Sequence, residues 1–269
     1  MKREQLTEWT DKEWSNIDNA VKEEVNRLSL TRKFIPEQLN VAKDATTINA
    51  NKITLKAKIG NIDETQTIKF SEKSENFQLT RRQIESESVN GVAKSLAIKH
   101  AKSISREEDK EILNQIITDS IIDPIKIGRT EKEQENAKQI INGVRAAIKK
   151  LQEKLHDGPY ALILNTDSFY EINCPVDNSF TTAADRLDPT LEKGIFHAPT
   201  LNSENKKGSP DLGILISLGG KTMDIARSIN PITEYQQCDA DDNFIFRIYQ
   251  RFAFRLMQPD SVVPLLFVK

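Results

Sequence analysis

The sequence predicts an α+β protein, with helices and strands in separate stretches of the chain. Apolar residues recur every three or four positions in segments 14–28, 92–118 and 133–155, which is the spacing of amphipathic helices. Alternating or continuous apolar runs, typical of strands, occur in 52–84 and after residue 160. The length of 269 residues suits one large domain or two interlocked ones.

The first helix is predicted to begin after Thr10, because Thr10 and Glu13 have the spacing of a capping box. Its apolar residues form one stripe that must be buried, and the simplest partner is the protein's own core. The stripe consists of Trp14, Ile17, Val21, Val25 and Leu28. Pro36 ends this region, since the residue before a proline favours an extended backbone.

The next segment has the alternation of a strand with one wet face. Its apolar positions are Ile53, Leu55, Ala57 and Ile59. Few large apolar residues occur between 61 and 90, so this region is predicted to be a projecting hairpin. An isolated two-stranded ribbon is marginally stable in water, and such a hairpin therefore needs a partner surface.

Two long helices should follow, over 92–118 and 133–155. The charged run 105–110 in the middle of the first is predicted to be solvated. Gly158 and Pro159 come after the second helix in the order expected of a helix stop.

The rest of the chain is predicted to be rich in strands. Segments 160–164 and 212–218 are short apolar runs typical of buried strands, whereas 173–210 is rich in turn residues. A long alternating strand should run from Phe244 to Leu256, before a last apolar segment at 262–268. One face of that long strand carries Arg247, Arg251 and Arg255. They could bind an anion, but a charge ladder between strands or subunits is the favoured interpretation.

The composition excludes several classes of protein. With 38 basic and 40 acidic residues the formal charge is −2, which argues against a nucleic-acid partner. Two cysteines cannot form a disulfide framework, and this favours a cytoplasmic location. The C-terminal apolar segment is too short to cross a bilayer, so no membrane partner is expected.

No catalytic, cofactor or metal site is predicted from the residues. Gly219-Gly220-Lys221-Thr222 lacks the earlier glycine of a phosphate-binding loop, and a tight turn is predicted instead. The acidic run Asp239, Asp241, Asp242, Asn243 lacks the glycine and glutamate of a calcium loop, so a polar turn is predicted. The scattered histidines and cysteines have no ligand or nucleophile spacing; these are His100, His156, His197, Cys174 and Cys238.

Several segments, in this order, resemble the linocin-like family of encapsulin shell proteins. They are Leu6-Thr7 with Lys12-Glu13-Trp14 and Ile17-Asp18-Asn19, Arg32-Lys33-Phe34, Gly158-Pro159-Tyr160 with the run Leu162 to Asp167, Lys193-Gly194-Ile195 with Ala198-Pro199, and Phe252-Ala253-Phe254 followed by Pro259. The block from Gly158 to Asp167 is the most specific of these. Segment 35–40 departs from the family pattern, and flavin, which some members bind, is not carried over.

The resemblance implies the HK97 phage-capsid fold, with a peripheral domain, an axial domain and an extended hairpin loop. It places the N-terminal helix and arm at 1–48 and the hairpin loop, or E-loop, at 49–86. The peripheral domain with its long helix would comprise 87–156 and 243–269, and the axial domain 157–242.

The resemblance also implies a function: identical subunits self-assemble into an icosahedral nanocompartment that encloses cargo enzymes. A ferritin-like protein or a dye-decolourising peroxidase is the kind of cargo expected, recruited by a C-terminal targeting peptide docked on the inner face. The candidate docking residues are Ile17, Val21, Val25, Leu28, Arg32 and Phe34. On this hypothesis Val21→Asp should leave shells intact but empty.

Two other functions remain open at this point. The chain could be the major capsid protein of an HK97-type phage or prophage, in which case its particles would hold DNA. It could instead be a soluble monomeric enzyme with a dispersed site, which would not form particles.

Overall fold

A computed structural model describes residues 6, 9–38, 41–56, 59–176, 180–202 and 211–268. The helices are α1 (Asp11–Leu28), α2 (Arg81–Glu85), α3 (Glu87–Asn90), α4 (Val92–Asp119), α5 (Glu133–Glu153), α6 (Thr166–Glu171) and α7 (Ala183–Leu191). The strands are β1 (Glu37–Gln38), β2 (Thr47–Asn49), β3 (Lys52–Lys56), β4 (Ile59–Asp63), β5 (Thr67–Lys69), β6 (Ser71–Thr80), β7 (Ile125–Gly128), β8 (Tyr160–Leu164), β9 (Glu192–His197), β10 (Asp211–Ser217), β11 (Met223–Cys238), β12 (Asn243–Leu256) and β13 (Val262–Val268). The predicted α+β class is confirmed.

Two sheets organise the described residues. The first has the order β1-β11-β12-β6, with β1 parallel to β11 and the other neighbours antiparallel. The second has the order β7-β13-β10-β8-β9, with parallel pairs at both edges. Two small ribbons, β2 with β5 and β3 with β4, form the hairpin between α1 and β6.

Helix α1 begins where the sequence predicts. The Thr10 hydroxyl accepts a hydrogen bond from the Glu13 backbone, and the Glu13 carboxylate accepts one from the Thr10 backbone, so the capping box is complete. The apolar face of α1 and the first half of α4 pack against the four-stranded sheet. Trp9, Trp14, Phe77 and Phe246 form an aromatic group at the centre of this core, with ring centroids 4.8 to 6.1 Å apart.

Strand β8 is a continuous apolar run in the interior of the second sheet. Its five residues are all buried, because the sheet is covered on both faces. Leu162 and Leu164 face a core formed with α5 and α7, whereas Ala161 and Ile163 face one shared with the second half of α4. The sheet is therefore a central layer between α4 and α5.

The two sheets divide the elements differently from the expected domain boundaries. Strand β11, expected in the axial segment 157–242, lies in the four-stranded sheet. Helix α5 and strand β13, expected with the long helix, pack in or on the five-stranded sheet. The last apolar segment is fully hydrophobic and finds its partners beside β10 and β7, which the linear order of the chain does not reveal.

The predicted hairpin corresponds to 47–69, and β6 belongs to the four-stranded sheet rather than to the hairpin. Residues 57 and 58, part of the predicted alternation, lie outside the described residues. The hairpin is attached to its own chain by a backbone hydrogen bond from Ile53 N to Met257 O and by a hydrogen bond from the Arg255 side chain to Asn49 O.

The turn predicted at Gly219-Gly220 is confirmed, and it gives a direct test of close packing. A Cβ added at Gly219 would lie 2.6 Å from the carbonyl oxygen of Gly158, an atom of the backbone that cannot move aside. Gly219→Ala should therefore lower the free energy of unfolding by about 1–3 kcal/mol, measured by urea denaturation. Gly128→Ala is the control with a small expected effect, because its Cβ would meet only the end of the flexible Gln139 side chain, at 3.1 Å. Equal stability of both variants would contradict the described packing.

Candidate functional site: the N-terminal helix and a buried charge network

The apolar stripe proposed for docking lies inside the chain's own core. Ile17, Val21 and Val25 are 1%, 0% and 0% exposed, and they pack with the aromatic group and with α4. A peptide cannot reach these three side chains in this conformation, so the expected apolar docking groove is corrected. The outward face of α1 is polar, with exposed residues that include Ser15, Asn16, Asn19, Lys22 and Asn26.

The other three proposed docking residues are divided between surface and core. Leu28 is partly exposed, at the end of α1. Phe34 is 6% exposed and packs against Phe196, with ring centroids 5.1 Å apart. Arg32 turns inward, and its side chain is 7% exposed. The six residues thus hold the N-terminal segment against the protein, and only Leu28 is available to a partner.

Arg32 belongs to a buried charge network centred on Glu108, in the middle of α4. The fully buried Glu108 carboxylate accepts hydrogen bonds from Arg32 Nη2 at 2.9 Å, Arg227 Nη2 at 2.5 Å and Gln250 Nε2 at 2.6 Å. Arg227 also donates to Glu37 at 2.5 Å. The two buried arginines thus face the buried carboxylate of Glu108 and the more exposed carboxylate of Glu37, so the charges of the network balance.

These contacts settle the protonation state of Glu108. Burial alone would raise the pKa of Glu108, but the charges of Arg227 and Arg32 outweigh burial and lower it. Glu108 is therefore ionised at neutral pH. The prediction that segment 105–110 is solvated is wrong at this position, because the two arginines that compensate its charge come from distant parts of the chain.

The adjacent Asp109 anchors the segment just after α1. Its carboxylate accepts hydrogen bonds from Ser29 Oγ at 2.9 Å, Leu30 N at 2.8 Å, Thr31 N at 3.0 Å and Thr31 Oγ1 at 2.7 Å. Burial raises the pKa of Asp109, and the donors from Leu30, Thr31 and Ser29 only partly oppose it. Two neighbouring acids of α4 thus tie residues 29–37 to the long helix and to both long strands of the first sheet.

The three arginines of β12 form the charge ladder favoured from the sequence. Arg247 and Arg251 pair with Glu72 on β6, and Arg255 makes a bidentate pair with Asp224 on β11 at 2.5 and 2.7 Å. Their charges are used between neighbouring strands, which leaves no reason to assign them an anion.

The polar turn before β12 is confirmed. The Asp239 carboxylate accepts hydrogen bonds from the backbone N–H groups of Asp241 and Asn243, at 3.0 and 2.8 Å, and so closes the connection between β11 and β12. Among the described residues no group of three or more histidine, cysteine, aspartate or glutamate side chains has the arrangement needed to hold a metal ion.

The cysteines and histidines have structural surroundings. Burial and a hydrogen bond to Glu133 raise the pKa of Cys174, and slight desolvation and a hydrogen bond to Asp242 raise that of Cys238. Neither thiol is therefore activated as a nucleophile. His156 Nε2 lies 3.0 Å from the Asp260 carboxylate, and His197 Nε2 lies 3.1 Å from the Thr166 hydroxyl.

The arrangement supports a mechanical role more readily than a chemical one. The network fixes the path of the N-terminal segment across α4, and a hydrogen bond from Arg255 on β12 holds the hairpin to the first sheet. Sequence reasoning missed Glu108, Asp109 and Arg227 as a group. The available signal was weak: buried apolar positions surround the charged pair in α4, at Ile104, Ile112 and Leu113.

The helices of the described chain include none that could span a membrane.

Comparison with known proteins gives a family match over most of the chain. The profile of the Linocin_M18 family, described as an encapsulating protein for peroxidase, matches residues 1–253. A curated relative, the type 1 encapsulin shell protein EncA of Myxococcus xanthus, is 24% identical over 119 residues, which are 44% of this chain. That match spans 39% of the length of EncA.

Solved structures with a similar fold include shells and capsids. A virus-like particle from Pyrococcus furiosus has a TM-score of 0.74 at 15% identity and covers 95% of this chain and 100% of its own. The mature capsid of bacteriophage PhiM1 has a TM-score of 0.63 at 10% identity, over 90% of this chain and 87% of its own. These likenesses establish the HK97-like fold that the family resemblance implies.

Proposed function

The chain belongs to the Linocin_M18 family of encapsulating proteins, and from this we propose that many copies of it close into an icosahedral shell around a protein cargo. The observation that carries the proposal is the family match across 1–253, on a fold shared with a virus-like particle over 95% of the chain. The chain is a structural shell protein rather than an enzyme, so the chemistry of the compartment belongs to its cargo.

The hairpin supports a role in assembly. It extends from the first sheet as two narrow ribbons, and Ile62, which pairs with Ile53 in the second ribbon, is 55% exposed. Such a ribbon gains stability from a second surface. We therefore assign its partner surface to a neighbouring subunit, as the expected E-loop of 49–86 requires.

Cargo capture is proposed to use the accessible edge of the N-terminal segment. A peroxidase is the cargo suggested by the family description, and a targeting peptide would meet Leu28 and the polar outward face of α1 rather than the buried stripe. Leu28→Glu should keep shells intact and lower the cargo content, because it changes a partly exposed position. The free thiols of both cysteines fit a cytoplasmic compartment, which is part of this proposal.

The decisive experiment is to purify the full chain under native conditions and to combine size exclusion with negative-stain microscopy. We expect hollow particles of uniform size, eluting far ahead of a 30.5 kDa monomer. Elution as a monomer without particles would overturn the shell proposal. It would favour the alternative hypothesis that the chain is a monomeric enzyme.

The content of the particles separates the two shell functions. The phage capsid remains the second candidate, since the fold is shared with the capsids of phages PhiM1 and XM1 at TM-scores of 0.63 and 0.61. Particles filled with protein support the encapsulating function, whereas particles filled with DNA would favour the capsid. Nuclease-protected absorbance at 260 nm and mass spectrometry of the contents distinguish them.

A further inference from the structure

Leu155 occupies a backbone conformation that normally requires glycine. Helix α5 ends in a Schellman motif, in which His156 N donates to Leu151 O at 3.0 Å and Leu155 N donates to Gln152 O at 2.9 Å. The residue at the left-handed position of this motif is Leu155, with φ of +65°. A side chain with a Cβ is disfavoured there, so the local backbone gives no reason for a leucine.

The described residues also leave most of the Leu155 side chain uncovered. It is 78% exposed, although leucine is among the residues most often buried. A large apolar side chain held in strained backbone and left in water indicates a contact that lies outside the described chain. One exposed leucine alone is ordinary, and the surroundings decide its meaning.

A second exposed apolar residue lies at the same end of the molecule. Ile121, just after α4, is 71% exposed. Its backbone N–H donates to Pro259 O, and the next residue, Asp260, holds the ring of His156. Ile121 and Leu155 are therefore both tied to one turn, the 3-10 helix Pro259–Ser261, Ile121 directly and Leu155 through its neighbour His156.

An open cavity of about 450 Å³ lies beside the end of α5 that carries Leu155. Gln152 and Asp157, three and two residues from Leu155, line it, and Glu192 lies on its wall. The charged side chains on the wall, Asp157 and Glu192, are both carboxylates, and helices α5 and α7 both end next to it with the negative ends of their dipoles. The cavity is therefore suited to a cationic side chain.

We propose that this end of the five-stranded sheet is an interface with a second copy of the chain, which covers Leu155 and Ile121 and places a lysine or arginine in the acidic cavity. The inference rests on the proposed shell. Charge complementarity selects the occupant: the same chain exposes basic side chains on its helices, including Lys99, Lys102 and Arg106 on α4.

The test compares variants of Leu155 in the full chain, by size exclusion over a dilution series. Leu155→Gly suits the left-handed backbone and removes the apolar contact. We expect the subunit concentration needed for particles to rise about tenfold or more, since burial of a leucine is worth at least that factor. Leu155→Met is the matched control, which keeps an apolar side chain and should assemble like the wild type. Circular dichroism of the glycine variant checks that its subunits remain folded.

A second variant tests the cavity independently of the backbone. Asp157→Asn with Glu192→Gln should raise the same concentration and should make assembly less sensitive to sodium chloride than in the wild type. If the wild type forms particles and both the Leu155→Gly variant and the double variant assemble as it does, the proposed interface is wrong, whereas the proposed shell stands. Intact particles that lose only their cargo would also overturn it, because the occupant would then be cargo. Absence of wild-type particles would instead be a failure of the proposed function itself.

Discussion

Replacement of Glu108 by glutamine is expected to lower the free energy of unfolding by about 3–5 kcal/mol at pH 7. Glutamine keeps the shape of the side chain but removes the charge that Arg32 and Arg227 face. Both guanidinium groups would then be buried against one remaining carboxylate, that of Glu37, which is 43% exposed. Urea denaturation of the full chain at one fixed protein concentration measures the loss.

The effect of Glu108→Gln should depend on pH in a defined direction. The arginines hold the folded-state pKa of Glu108 below the unfolded value of 4.5, so its contribution is present above that value and is lost as the pH falls through the lowered pKa. The difference between wild type and variant should thus stay constant down to about pH 5 and shrink below it. Glu107→Gln, at the exposed neighbouring position, is the control and should change stability little. A loss as small as that of the control would show that the network does not stabilise the fold.

Val21→Asp should unfold the protein rather than empty a shell. Val21 is 0% exposed in the core formed by α1, α4 and the first sheet, and an aspartate there would be an unpaired buried charge. We expect a loss of about 4 kcal/mol or more, visible as a shift of the urea midpoint or as insoluble protein. This replaces the expectation, drawn from the sequence, of intact but empty particles.

Two further variants make the Val21 test specific. Lys22→Asp introduces the same charge at the exposed neighbour and should leave the fold intact. Val21→Ala removes only apolar volume and should cost about 2 kcal/mol. Stable, particle-forming Val21→Asp would mean that the stripe is open to solvent and could bind a peptide after all.

Local signals gave most of the helices and strands. The capping box of Thr10 and Glu13, the long helices α4 and α5, and strands β8, β10 and β12 were all predictable, because each has a clear apolar period or a defined end. Helix α7 was not, since it is short and contains Pro189, a residue that normally interrupts a helix. It lies in a stretch predicted to be rich in turns.

The candidate site was less predictable than the fold, because its residues are far apart along the chain. Glu108 in isolation is typical of a solvated helix face, and only Arg32 and Arg227 make its burial possible. The stripe of α1 posed the opposite problem: burial in the core and docking of a peptide give the same sequence pattern. Only the packing of α1 against α4 and the first sheet separates them.

The span of the charge network has a consequence for synthesis on the ribosome. Along the sequence, Arg32 and Glu108 are 76 residues apart, Glu108 and Arg227 are 119 apart, and Arg32 and Gln250 are 218 apart. A nascent chain can bind its N-terminal segment to Glu108 and Asp109 once α4 has been made, but the contacts with Arg227 and Gln250 form only after β11 and β12 have been translated. Chains that terminate before β11 therefore lack two of the partners of this network, and we expect them not to present the surface that neighbouring copies would meet in the proposed shell.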